Sequence, residues 1–410
     1  MRHRFQLLAV LFLGASCALA QDAAPSYGIT FSGFVKTDLF YDSRQTVSVR
    51  EGHFLLYPAE ERKDAAGTDI HAAPNLNILS IQSRLTGRIT GPEALGARTS
   101  GLLEGEFFGT SDADVSGFRL RHAYLRLDWE QSSLLVGQFW HPMFVAEMFP
   151  GVVSFNTGAP FQPFSRNPQI RFTQKLGEFR LIAAALSQRD FQSSGPLPSD
   201  LSSSYLRNAV LPDLHLQVQY ASGAALVGAG AGYKRLRPRL VTTRNTEADA
   251  TVGSAALLAF GRVTAGDLTL KAEGTLGGNL SDLLMLGGYA VRSVDTSTGE
   301  ESYEPLRSYA LWGEISGGKQ PELALFGGYA RTLGAAENLE GPLYGRGTTI
   351  ADIFRISPRI AWEEGKTRFA AEVEHTSARY GTPDPGNRGR PANPRKVSNT
   401  RLLLSAYYFF

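Results

Sequence analysis

The sequence predicts an all-β protein: a transmembrane antiparallel β-barrel of about sixteen strands, with short periplasmic turns and long extracellular loops. Three observations predict it. Segments of about 9 to 11 residues recur in which apolar and polar side chains alternate. The connections between them alternate in length, long then short. Beyond the first twenty residues no apolar run approaches the roughly 20 residues that a spanning helix needs, so a chain that sits in lipid must close its sheet to satisfy its backbone.

The opening residues read as an address. Arg2 and Arg4 precede an apolar run from Phe5 to Leu13, and Ala18-Leu19-Ala20 offers small residues for cleavage before Gln21. Residues 1–20 are therefore expected to be a cleavable secretion signal, and 21–410 a single barrel domain. Cys17 also admits a lipid-modified reading, against which stands Gly14, where such a signal wants a branched apolar residue. Cys17 is the only cysteine, so cleavage after Ala20 removes disulfide and thiol chemistry. Without Arg2 and Arg4 the chain carries 39 basic against 39 acidic residues, a balance that argues against nucleic acid as a partner. Forty-three glycines, 24 Phe and 15 Tyr suit many short strands and turns around a wet interior.

The strands follow in order. The first runs from Ile29 to Asp42 and the next from Asn75 to Thr90, where Ile81, Leu85 and Ile89 share a parity against Gln82, Arg84, Thr86 and Arg88. Ser100–Gly109, Phe118–Trp129, Ser133–Phe139, Gln169–Leu176 and Glu178–Gln188 come next. Asp213–Ala221 alternates cleanly, with Leu214, Leu216, Val218 and Tyr220 opposite His215, Gln217 and Gln219. Ala224–Lys234, Thr251–Val263 and Asp267–Gly278 lead to Arg307–Ser316, Glu322–Thr332, Thr349–Trp362, Lys366–Thr376 and Asn399–Phe410. Gly228, Gly230 and Gly232 within one strand suggest curvature of the wall.

Long connections at Ser43–Pro74, Trp140–Pro168, Arg189–Pro212, Asn279–Leu306 and Ser377–Ser398 are separated by short turns such as Gly177, Ser222-Gly223 and Glu363–Gly365. An even-numbered barrel with both ends of the chain in the periplasm shows this rhythm; a soluble sandwich has no reason to keep it. The last strand puts Leu402, Leu404, Ala406, Tyr408 and Phe410 on one face. It could close a soluble sheet as a buried edge, but aromatic residues at a strand end fit the girdle of an outer-membrane barrel better.

Family resemblance points the same way. Gly33-Phe34-Val35-Lys36 with Asp38, Tyr41, Asp42 and Ser43 resembles the first strand of the DcaP-like porins, a group akin to the phosphate-selective porins. So do Ser83-Arg84-Leu85, Glu104-Gly105-Glu106-Phe107-Phe108-Gly109, Arg121-His122-Ala123-Tyr124 and Leu135-Val136-Gly137-Gln138, which lie within roughly the first 175 residues. Beyond them only the strand rhythm and the aromatic end match. The resemblance implies a Gram-negative outer-membrane barrel, commonly a homotrimer, embedded in outer-membrane lipid and passing small hydrophilic or anionic solutes. Phe410, with Tyr408 two places earlier, resembles the signal by which the outer-membrane assembly machinery takes up porins.

Assigning the polar parity to the lumen places Lys36, Arg84, Arg88, Arg171, Lys175, Lys271, Arg355, Arg359 and Arg368 inside. Arg119 and Arg121 join them, although the parity of their strand breaks near His122, as a bulge would make it. Asp38, Glu104, Glu106, Glu273, Glu314, Glu372 and Glu374 form the acidic set. Such a wall would orient polar solutes and favour anions slightly; alternatively, the charges pair across strands and stiffen the wall. The connection after the fifth strand, from Trp140 to Pro168, carries His141, Phe144, Phe149, Phe155, Phe161, Phe164 and Arg166. Its aromatics disfavour disorder. General porins fold the loop in this place into the barrel as a constriction, and the same is expected here; the other reading is a rim loop packed on a neighbouring subunit.

No motif of metal, nucleotide or nucleophile chemistry stands out, so no cofactor and no catalysis are expected. Asp295, Ser297, Gly299 and Glu301 could hold calcium in an outer loop, or form a solvated acidic turn. The preferred function is passive diffusion of small hydrophilic solutes. A plugged or narrow barrel serving as receptor, adhesin or secretion partner is the alternative, and an outer-membrane hydrolase a more remote one.

Overall fold

The computed structural model describes residues 27–410, and the expected signal at 1–20, with Cys17, lies outside the described residues. Alternation of the kind read above becomes strand wherever one face meets lipid and the other the lumen. The chain enters the barrel with β1 (Gly28–Asp42), leaves it for a small hairpin of β2 (Thr46–Val49) and β3 (Phe54–Pro58), and returns with β4 (Asn75–Leu79) and β5 (Arg84–Thr90). Then come β6 (Arg98–Glu106), β7 (Arg119–Asp128), β8 (Ser132–Trp140), β9 (Arg166–Leu176) and β10 (Phe179–Leu186). These are followed by β11 (Asp213–Ala221), β12 (Ala225–Leu236), β13 (Val252–Ala265), β14 (Leu268–Gly278), β15 (Gly287–Val294) and β16 (Glu301–Gly317). The chain ends with β17 (Glu322–Gly334), β18 (Leu343–Arg346), β19 (Ile350–Glu364), β20 (Thr367–Asp384) and β21 (Arg390–Phe409).

Each barrel strand pairs antiparallel with the next, and β1 pairs with β21, Phe34 opposite Phe409 and Asp42 opposite Arg401, so the sheet closes. The result is a 16-stranded antiparallel barrel in which β4 and β5 are two halves of one stave, both paired to β1. Hairpin β2/β3 and strands β15 and β18 belong to the long connections. At the closing seam Gly33 is required: a Cβ there would meet the Arg84 carbonyl oxygen at 2.1 Å and the Phe410 ring at 2.8 Å.

Inside and outside are separated sharply along single strands. On β11 Leu216 is 66% exposed and its neighbour Gln217 only 4%. Leu, Ile, Val and Phe side chains form the exposed face of strand after strand, from Phe31 to Leu404. A continuous apolar belt of this extent marks a surface that water does not cover. No helix among the described residues is long and apolar enough to cross a membrane, so strands carry any crossing.

The structure corrects several boundaries. The stave expected to run unbroken from Asn75 to Thr90 breaks between Leu79 and Arg84, and Ile81, expected to share a face with Leu85, turns into the apolar interior at 5% exposure while Leu85 stays outside. Ser83 holds this break: its Oγ accepts from Lys36 N at 3.0 Å. Strands β16, β20 and β21 run further than expected. Most of the segment from Ser377 to Ser398, read as loop, is a hairpin extension turning at Pro385–Asn387, and Glu301 to Leu306 is strand as well. Outside the lipid neither face of a strand need be apolar, so the alternation that signals a strand vanishes there. Gly228, Gly230 and Gly232 provide room rather than curvature alone: their absent side chains leave space for the Phe260 and His215 rings.

At the seam Arg401 donates to Asp42 from Nε at 3.0 Å and from a terminal nitrogen at 2.5 Å, both residues buried, and reaches the Gly52 carbonyl at 2.6 Å. Arg401→Met should cost about 3–5 kcal/mol by stranding the Asp42 carboxylate, read as a lower urea midpoint for loss of the compact gel form.

Candidate functional site in the barrel interior

The connection from β8 to β9, residues 141–165, is folded into the barrel and spans its lumen. Its backbone and side chains are taken up by charges on the far wall. Glu314 on β16 accepts from Gly151 N at 2.7 Å, Glu372 on β20 from Val153 N, and Glu374 from Asn156 Nδ2 at 2.8 Å. Cations take its carbonyls: Lys36 Nζ donates to Val153 O at 3.0 Å, Lys271 Nζ to Phe149 O at 3.0 Å, and Arg355 to Ala159 O at 2.8 Å. This backbone leaves few of its own groups paired in regular structure, so the wall supplies partners that burial would otherwise deny it.

Phe144, Phe155, Phe161 and Phe164, with Met143 and Met148, are buried in one apolar cluster, and His141 is buried beside Asp213 at 3.5 Å; Phe149 stays 39% exposed. Hairpin β2/β3 packs onto this cluster. Phe54 meets Phe155 and Phe164 edge-on at 5.1 Å each, and Phe108 stacks on Phe155 at 3.9 Å. The hairpin is tied to the wall where Arg355 donates to Leu56 O at 2.6 Å and Tyr380 to Pro58 O at 2.8 Å. Leu283, in the connection after β14, accepts from Phe164 N at 2.9 Å.

All the charges assigned to the lumen by parity face inward, but the structure sorts them into two kinds. Glu106, fully buried, gathers Arg84 at 3.1 Å, Arg119 and Arg121 at 2.7 Å each, and Arg166 at 3.8 Å, while Glu104 takes Arg121 at 2.8 Å. The register slips between Glu104 and Gly105 opposite Arg121, so Arg121 and His122 both point inward. Asp38 lies between Lys36 at 3.0 Å and His53 at 2.5 Å. Lys271 pairs with Glu314 at 3.1 Å, Arg359 with Glu322 at 2.7 Å, and Arg355 with Glu374 at 3.3 Å. These residues stiffen the wall and hold the loop. Arg88 and Lys175 are exposed to the lumen, Arg171 bonds only Gln169 and the Trp140 carbonyl, and Arg368 forms no ion pair among the described residues. Glu273 is buried between Phe260 and Trp312 with neither oxygen hydrogen-bonded.

Cavities lie on both sides of the folded loop, and each has more cations than carboxylates. Toward the short turns, about 410 Å³ is lined by Arg126, Arg171, Lys175 and Arg180 against Glu147, and about 490 Å³ by Arg262, Lys271, Arg359 and Arg368 against Glu147 and Glu322. Toward the long loops, about 340 Å³ is lined by Arg50, Arg119, Arg189 and Arg346 against Asp190. Strand parity had not singled out Arg50, Arg189 and Arg346, because they sit in loops. Arg180 was missed because it shares its inward face with Ile182 and Ala184; its cross-strand partner Lys175 was the available signal. The calcium candidates Asp295 and Glu301 are both engaged by neighbouring side chains. The Asp295 carboxylate accepts from Ser297 N and Oγ at 2.8 and 2.6 Å, bonds that lower its pKa, whereas Glu301 is taken by Arg239 at 2.9 Å. Among the described residues no three acidic, His or Cys side chains converge on a metal position.

Comparison with solved structures matches this architecture over nearly its whole length. The outer membrane channel DcaP of Acinetobacter baumannii superposes with a TM-score of 0.67 at 16% identity, covering 94% of this chain and 97% of that one. The chain has the fold of that channel. OmpT of Vibrio cholerae, an outer membrane protein, matches with a TM-score of 0.55 at 14% identity over 94% and 98% of the two chains, and a trimer form of it matches equally well at 13%. No protein-family model and no curated protein matches the sequence. The two likenesses are to outer-membrane barrels, in keeping with the exposed apolar belt.

The shared carboxylate at Glu106 makes the arginine cluster tolerable. Glu106→Gln should destabilise the barrel by about 3–5 kcal/mol, seen as a lower temperature for conversion of the compact to the unfolded gel band.

Proposed function

We propose that this chain is an outer-membrane porin-type channel for passive diffusion of small hydrophilic solutes, with a preference for anions and no catalytic step. The observation that carries the reading is the 141–165 loop folded across a 16-stranded barrel, with cation-rich cavities on both of its sides. Barrels of this strand number enclose a water-filled lumen, and a loop laid across it sets the size of what passes. Rings of Arg and Lys favour anions. The reading takes the chain to be exported through a cleaved signal, inserted by the assembly machinery through its aromatic end, and assembled as a homotrimer. The OmpT trimer form gives that last point its support.

One observation favours a second reading, a plugged barrel acting as receptor or secretion partner. The apolar cluster joins hairpin β2/β3, the 141–165 loop and Leu280–Leu286 into one packed mass inside the barrel. Single-channel recording of the folded protein in a planar bilayer under a salt gradient separates the two. Stable conductance steps are expected, and their persistent absence from verified folded barrels would favour the plug. Because Arg84 is neutralised by Glu104 and Glu106, selectivity is assigned to cations without a carboxylate. Arg171→Gln with Lys175→Glu should move the reversal potential toward cations, and an unchanged potential would remove the pair from the pathway. Glu372→Ala with Glu374→Ala, which releases two clasps on the loop, should raise the unitary conductance and its noise.

A further inference from the structure

We propose that solutes cross the barrel along the β7–β9 wall, through a neck formed by Phe139, His122 and Trp140. The neck passes singly charged, weakly hydrated anions in preference to strongly hydrated ones such as phosphate or sulfate, an inference that rests on the channel reading above. The route follows from where the cavities meet the wall. Gln138 on β8 lines the cavity toward the long loops, and Phe139, the next residue, lines the one of about 410 Å³ toward the short turns. On β7, Arg119 belongs to the upper cavity and Arg126 to the lower. Over the other lower cavity the loop is bonded to the wall at Phe149, Gly151 and Val153 by Lys271, Glu314 and Glu372, which closes that side.

Between the two cavities of the β7–β9 wall, rings make the contact. His122 lies 5.0 Å from Phe139 and 5.5 Å from Trp140, centroid to centroid, and Trp140 stacks on Phe144 of the folded loop at 3.8 Å. Guanidinium groups lie against the same rings: Arg166 at 5.1 Å and Arg121 at 5.7 Å from Trp140, and Arg171 at 5.3 Å from Phe139. His122 and Phe144 are buried, whereas Phe139 and Trp140 are only half-buried and keep part of their surface open to the lumen.

Hydration then selects among anions. Two of the three cations at the neck are already engaged: Arg121 by Glu104 at 2.8 Å and Glu106 at 2.7 Å, and Arg166 by Asp190 at 2.7 Å. The Gln138 amide is taken as well, Nε2 donating to the Arg121 carbonyl at 2.9 Å. An anion in the neck therefore meets ring surface where it needs donors, and the water it sheds is not replaced. That cost rises with charge and with strength of hydration, so it falls hardest on phosphate and sulfate. A large singly charged anion loses little, and below the neck it is received by Arg171 and Lys175, which have no carboxylate partner among the described residues. The arginines of the upper cavity attract both kinds of anion; the rings separate them.

The test is the reversal potential of the folded chain in a planar bilayer, with chloride on one side and thiocyanate, nitrate, sulfate or phosphate on the other. Relative to their mobilities in free solution, thiocyanate and nitrate should outrank phosphate by about tenfold, the effect of a barrier difference of about 1.4 kcal/mol. Trp140→Ala should return the ratio to that of free solution, and Trp140→Phe should keep it. If Trp140→Ala does not fold, Phe139→Ser is read in the same way. The route is read separately by labelling an introduced thiol, since the only cysteine, Cys17, lies in the expected signal. A bulky thiol reagent on Thr173→Cys, in the lower cavity beside the neck, should remove most of the current, and on Thr269→Cys, in the other lower cavity, should leave it. A barrel that folds but never conducts would overturn the channel reading and this one together. Conductance with the ratios of free solution, a ratio that the folded neck variant keeps, or block at Thr269→Cys as strong as at Thr173→Cys would overturn this one alone.

Discussion

A strand edge in hydrocarbon has no water to satisfy its N–H and C=O groups, and this requirement to close the sheet governs the rest of the molecule. The seam between β1 and β21 meets it through continuous pairing from Phe34 to Asp42, backed by the Asp42–Arg401 pair inside and by Gly33 where the last residue packs. Closure at this strand number leaves an interior too wide for wall side chains to fill. What happens to that interior decides what the protein can do.

The solution here is to pair the backbone of a folded-in loop with wall side chains. The 141–165 loop forms little regular structure and would carry unpaired amides and carbonyls into a buried place, so wall charges serve as its partners. Glutamates 314, 372 and 374 accept from it; Lys36, Lys271 and Arg355 donate to it. Those same charges are thereby removed from the set available to a passing solute. An inward-facing Arg or Lys is thus no measure of selectivity: Arg121 and Arg355 are structural, whereas Lys175 and Arg88 face open lumen.

Much of the barrel was legible because lipid imposes a period of two wherever it touches a strand. Asp213–Ala221 was read to the residue, and charges such as Lys36, Glu106, Arg355 and Glu374 lie on the strand face opposite the exposed apolar belt. What escaped lay where lipid does not reach. The extensions of β20 and β21 beyond Ser377 and before Ser398 have water on both faces, so Pro391, Asn393 and Pro394 gave a loop signature to residues that pair as strand. Ile81 looked lipid-facing because parity counts residues and cannot see the break that Ser83 stabilises. The ion-pair partners of Glu106 come from β5, β7 and β9, and such convergence is a property of the closed barrel that no single strand displays.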